Sequence, residues 1–135
     1  MKKIFSLILF LLPFLSFSQD NSRFANFQEG QVICSSSGKL TQGELYVSKT
    51  ENDFYVIGVY SPTPNLPKAN PVKTEGIADV LVDESTGAIK KGDVLTSGAN
   101  GKAVRLVGSG FALGVATADS QGGKVTVRII TTYVK

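Results

Sequence analysis

The chain contains no histidine and no tryptophan, one cysteine and one methionine, and only 19% of its 135 residues are charged. Without histidine there is no Ser-His-Asp or Cys-His nucleophile, no histidine-bound zinc and no imidazole acid or base. A single cysteine, Cys34, permits neither an intrachain disulfide nor a four-thiolate metal cage. No Asp-x-Asp-x-Asp loop offers the oxygen ligands of a calcium site. A sustained 3.6-residue apolar period is also missing, and the 14 glycines fall too often for long helices. Catalysis would have to rest on carboxylates, Lys, Tyr, Ser or Cys34, and the candidates for paired acids are Asp79, Asp83, Glu84, Asp93 and Asp119. Their placement in turns and along one strand face suits structure better than paired acid chemistry. Neither an enzyme, a cofactor nor a metal site is expected.

The first eighteen residues differ from the rest. Lys2 and Lys3 precede a stretch, Ile4 to Phe17, that is apolar except at Ser6, Pro13 and Ser16. Fourteen residues are too few for a membrane span, which needs about 20. Ser16-Phe17-Ser18 is the small-x-small pattern of a secretory signal peptide, with cleavage expected between Ser18 and Gln19. The destination is then the periplasm, the outer surface or the medium, with no membrane span in the mature chain. Removing the leader takes four of the eight phenylalanines and leaves 12 Lys+Arg against 11 Asp+Glu. The remaining cations are scattered among acids, so no nucleic-acid track is expected. Cys34 closes the apolar Val32-Ile33-Cys34 run and reads as a buried small hydrophobe.

After an arm over residues 19–30, short alternating segments separated by Gly, Asn, Asp or Pro fill residues 31–135. Strands are expected at Gln31–Ser35, Glu44–Lys49, Phe54–Tyr60, Ile77–Asp83, Asp93–Ser97, Ala103–Val107, Ala112–Thr117 and Lys124–Tyr133. In the second of these, Leu45 and Val47 should face one way and Tyr46 and Ser48 the other. In the fourth, Ala78, Val80 and Val82 should oppose Ile77, Asp79 and Leu81. Asn100-Gly101 suits a tight hairpin, and Asp83 to Gly87 an acid-initiated turn. Eight or nine short strands make the chain all-β, a compact barrel or sandwich, with a β-clip-like fold as the alternative.

An internal duplication runs through this pattern. Leu40 to Ser48 matches Ile89 to Ser97, each aliphatic-x-x-Gly-acid-aliphatic-x-x-Ser at an offset of 49 residues. Phe54 to Val59 resembles Phe111 to Val115, and Gly76 to Val82 resembles Gly122 to Val127. The units, about 39–83 and 88–130, suggest a pseudo-two-fold. The Gly-acid pairs Gly43-Glu44 and Gly92-Asp93 read as turns at strand starts. Between Ser61 and Pro71 four prolines make one long, extended loop that cannot enter a sheet interior. This loop, with the nearby tyrosines, is the candidate contact segment: Tyr55, Tyr60, Pro62, Pro64, Leu66 and Pro67. It would serve oligomer contacts or, alternatively, carbohydrate or peptide binding.

The order Gly43-Glu44, Ile57-Gly58-Val59-Tyr60-Ser61, the proline loop, Gly76 to Val82, Ile89 to Ser97, Ala112 to Ala116 and Gly123 to Val127 resembles a small β module of bacterial surface and phage tail-fibre-like proteins. The C-terminal half is also similar to phage capsid decoration proteins. The resemblance implies a non-catalytic, often trimeric structural module, which the leader would make an exported one. Its implied partners are itself, as a homotrimer, or other surface proteins. The Ile89 to Leu95 segment also occurs in lipoyl and biotinyl carrier barrels, but Lys102 lacks the flank that a modified lysine needs.

Overall fold

A computed structural model describes Phe24 and residues 26–62, 70–85 and 87–135. Nine strands form two antiparallel sheets. They are β1 (Val32–Ser35), β2 (Leu45–Val47), β3 (Val56–Tyr60), β4 (Val72–Lys73), β5 (Gly76–Leu81), β6 (Val94–Ser97), β7 (Ala103–Arg105), β8 (Gly110–Ala116) and β9 (Lys124–Val134). The order is β2-β1-β3-β4 in the smaller sheet and β5-β9-β8-β6-β7 in the larger. Of the architectures expected from sequence, this is the sandwich. The strand starts fall within three residues of those expected. The short β4 was not foreseen, because two residues cannot display an alternation.

Alternation decides which side chains are covered. Ala78, Val80 and Val82 are buried while Ile77 and Asp79 are exposed, as the period of two requires. The inter-sheet core joins Val32, Cys34, Val56 and Val59 of the small sheet to Val80, Leu95, Leu113, Val127 and Ile129 of the large one. The small sheet also buries its outer face. There Ile33, Ile57 and Val72 pack with Leu45, Val47 and Tyr60 beneath Phe24 and Phe27 of the N-terminal arm. Leu45 and Val47 therefore serve the outer cluster and Tyr46 the inner core. A bulge between Ile33 and Cys34 sits opposite Ile57 and resets the parity of β3. Val56 and Val59, three apart, can then both reach the inner core.

The internal likeness has its clearest counterpart at the two matched serines, both fully buried. Ser48 Oγ donates to the Gly98 carbonyl at 2.8 Å, and Ser97 Oγ donates to the Thr50 carbonyl at 2.9 Å. The backbone repeats the exchange. Gly101 N–H donates to the Ser48 carbonyl at 2.9 Å and Asn52 N–H to the Ser97 carbonyl at 3.3 Å. Asn52 and Gly101 are themselves 49 residues apart and both left-handed, with φ of 60° and 73°. The backbone exchange joins equivalent positions of the two halves, whereas the serine acceptors are one residue out of step, Gly98 being one residue after Ser97 and Thr50 two after Ser48. The equivalence does not extend to the sheets: β2 and β3 lie in one, β6 and β8 in the other, and β5 pairs with its own counterpart β9.

The turns follow their chemistry. Asp83 Oδ1 accepts from Ser85 N–H at 2.9 Å, and Gly87 N–H donates to the Glu84 carbonyl. The Ser85 backbone bond holds the Asp83 carboxyl below its ordinary range. Asn100-Gly101 has the positive φ expected, but the β6–β7 connection spans five residues with a 3₁₀ turn at Ala99–Gly101. It is longer than a two-residue hairpin because Gly98 and Gly101 are drawn onto Ser48.

Candidate functional site

Four aromatic rings form a continuous row at one end of the sandwich. Tyr55 and Phe54 lie 5.2 Å apart between centroids, Phe54 and Phe111 4.6 Å, and Phe111 and Tyr133 5.1 Å, all edge-to-face. Phe54 is 64% exposed, Tyr133 55% and Tyr55 42%. Exposed rings in contact with one another form an apolar patch, which in a folded protein marks a surface kept for binding. The row is assembled from both sheets: Phe111 and Tyr133 are cross-strand partners on β8 and β9, and Phe54 and Tyr55 lead into β3.

The segment presenting these rings is held by a dense set of hydrogen bonds. Asn52 Oδ1 accepts from Phe111 N–H at 2.6 Å, and Thr96 Oγ1 donates to the Phe111 carbonyl at 2.6 Å. Asp53 N–H donates to Ser97 Oγ at 2.8 Å, while Asp53 Oδ1 accepts from Tyr55 N–H at 2.8 Å. The backbone that carries Tyr55 and Phe111 is therefore tied down at both rings. Beside them is an open cleft of about 580 Å³. Its lining includes Phe54, Phe111, Tyr133, Thr74, Thr132 and Lys39.

The contact residues expected from sequence are dispersed relative to this row. Tyr55 belongs to it, but Tyr60 lies on the outer face of the small sheet, its ring 5.8 Å from Phe27. Pro62 is partly buried near the foot of the proline loop, which Ser61 N–H closes on the Pro71 carbonyl at 2.6 Å. Pro64, Leu66 and Pro67 lie outside the described residues, as do Ser18, Gln19 and the rest of the leader. Phe54, Phe111 and Tyr133 were not among the expected site residues. The duplication did align Phe54 with Phe111, and that was the one signal that could have joined them.

Of the carboxylates considered for catalysis, Asp79, Asp83, Asp93 and Asp119 each accept a hydrogen bond from a backbone N–H or a hydroxyl. Asp93 Oδ2 accepts from Lys90 N–H and Asp119 Oδ1 from Lys91 N–H, at 2.9 and 2.8 Å. Asp79 Oδ1 accepts from Thr126 Oγ1 at 2.8 Å. At the other Gly-acid turn it is the Glu44 backbone that bonds, to Ser36 Oγ and Ser36 N–H. Among the described residues, no group of three His, Cys, Asp or Glu could hold a metal ion. No helix among them is long and apolar enough to cross a membrane.

Cys34 is fully buried. Burial above all, then the charge of Asp53 and a hydrogen bond to it, push its thiol far above the ordinary range. Tyr46, whose hydroxyl donates to Asp53 Oδ2 at 3.3 Å, is pushed up to about 12, by burial first and then by the neighbouring charges of Cys34 and Asp53. A thiol so placed should resist alkylation at about pH 8 in the folded protein and label fully in denaturant. The native protein labelling at the unfolded rate would contradict the placement. Both groups hold their protons more tightly folded than unfolded. Their stabilising contribution is therefore complete below the unfolded values, 9.0 for the thiol and 10.0 for the phenol, and is lost as pH rises above them. Denaturation midpoints should hold level up to about pH 9 and then fall, with a shallower fall in Cys34→Ala.

Comparison with known proteins adds one finding. No curated protein and no solved structure matches the chain. A family model described as phage cement protein matches residues 26–130, from the N-terminal arm through β1 to β8 and into β9. This match covers more than three quarters of the sequence, and it takes in the buried core, the reciprocal serines and three of the four rings in the aromatic row. The chain belongs to the phage cement protein family.

Proposed function

We propose that this chain is an exported, non-catalytic assembly module that attaches to other surface proteins or to copies of itself, as a homotrimer, in a surface or fibre-like complex. The observation that carries the reading is the family match over residues 26–130. A cement protein, as the word says, holds other components together, and binding of that kind needs a rigid surface more than reactive groups. The chemistry of the chain supports this: no histidine, a cysteine buried away from solvent, and carboxylates engaged in turns. Export rests on the leader, Met1 to Ser18, which precedes the matched segment.

The test is expression of the full chain in a bacterial host with two membranes, followed by fractionation, intact mass and light scattering. The expected product begins at Gln19, is found outside the cytoplasm and has three times the mass of one chain. A chain that keeps Met1 and stays in the cytoplasm overturns export. A monomer at micromolar concentration that also cross-links to no surface protein in cells overturns the assembly reading.

A further inference from the structure

Independently of that reading, the aromatic row and its cleft call for a ligand of their own. We propose that the cleft binds an acidic polysaccharide, a chain of sugar rings bearing carboxylates. A sugar ring has an apolar C–H face and a polar hydroxyl rim. The lining holds residues of both kinds, Phe54 and Tyr133 with exposed rings, and the hydroxyl-bearing residues Ser37, Thr74 and Thr132. Its volume, about 580 Å³, lies within the usual range for small-ligand clefts. Lys39 is the one charged side chain in the lining, and no carboxylate opposes it. Charge complementarity therefore selects an anionic sugar over a neutral one. A peptide added as an extra strand fits less well. Thr131, at φ 35°, breaks the regular backbone of β9 where such a strand would have to pair. A nucleic acid would require several cations, and the lining supplies one.

Native affinity electrophoresis of the protein purified from cells expressing the full chain tests this, with polygalacturonate and dextran as the acidic and neutral probes. Polygalacturonate should retard the protein about tenfold more strongly than dextran. Phe54→Ala and Tyr133→Ala should each weaken the polygalacturonate interaction about tenfold. Both side chains are largely solvent-exposed, so thermal melting should stay unchanged. Lys39→Gln should bring polygalacturonate down to the dextran level. Retardation by neither polymer overturns the proposal, and so does capture of peptides alone. Retardation that salt abolishes and both aromatic variants leave intact overturns it too, since that is charge attraction without a site.

Discussion

Gly114→Ala should destabilise the protein by about 3 kcal/mol or prevent its folding. Gly114 lies in β8 beside the bulge that separates the Ala112↔Thr132 pair from Gly114↔Ile129. There the neighbouring strand comes in so closely that a Cβ would collide with the Arg128 carbonyl and with the Val127 side chain. The obstructing atom is backbone, held in the β8–β9 ladder, so rotamer changes cannot relieve the clash. Gly58 in β3 has the same problem against the Lys73 carbonyl, and Gly58→Ala should fail similarly. Val107→Ala, at a side chain 82% exposed, should stay within about 0.5 kcal/mol of the parent in urea denaturation. A Gly114→Ala midpoint equal to that of Val107→Ala would mean that the two strands are further apart than described here.

Ser97→Ala should cost about 2 to 3 kcal/mol, more than Ser48→Ala at about 1 kcal/mol. Ser48 Oγ makes one bond, to the Gly98 carbonyl. Ser97 Oγ makes two, donating to the Thr50 carbonyl and accepting from Asp53 N–H. Removing it takes a partner from the Thr50 carbonyl and from the half-buried Asp53 N–H at once, on the segment that presents Phe54 and Tyr55. Hydrogen exchange isolates the effect. The Asp53 amide should lose protection in Ser97→Ala and keep it in Ser48→Ala. Equal protection in both variants would show that the serine does not hold that segment.

Much of this architecture could be read from one sequence because it depends on local rules. The period of two placed Val80 and Val82 in the core, and an acid followed by glycine marked the Asp83 turn. The matched Gly, Ser and aliphatic positions suggest a duplication, and the likeness to phage structural proteins rests on the same rhythm. The tail-fibre form of that likeness draws nothing from the family match. What was hidden is what depends on exposure and on distant neighbours. Phe54 and Phe111 sit in β-prone segments, where a phenylalanine ordinarily reads as core. Phe54 is nevertheless exposed and Phe111 only half-buried, the one just before β3 and the other at the second residue of β8. Tyr60 seemed a partner for Tyr55 because it is near in sequence, yet its ring is claimed by Phe27 on the opposite face of the small sheet. The assignment of β5 to the larger sheet was likewise invisible, since its partner lies in the last strand of the sandwich.

That assignment has a consequence for the order of events during synthesis. β5 finds its ladder only on Lys124 to Ile129 of β9, while β9 also pairs with β8 along Val127 to Val134. A nascent chain that has emerged as far as β8 still has no ladder partner for β5, and the larger sheet lacks the strand that joins β5 to β8. Stable closure must wait for β9, and pairings this distant in sequence form slowly. The growing chain therefore spends its time on the ribosome without a finished core.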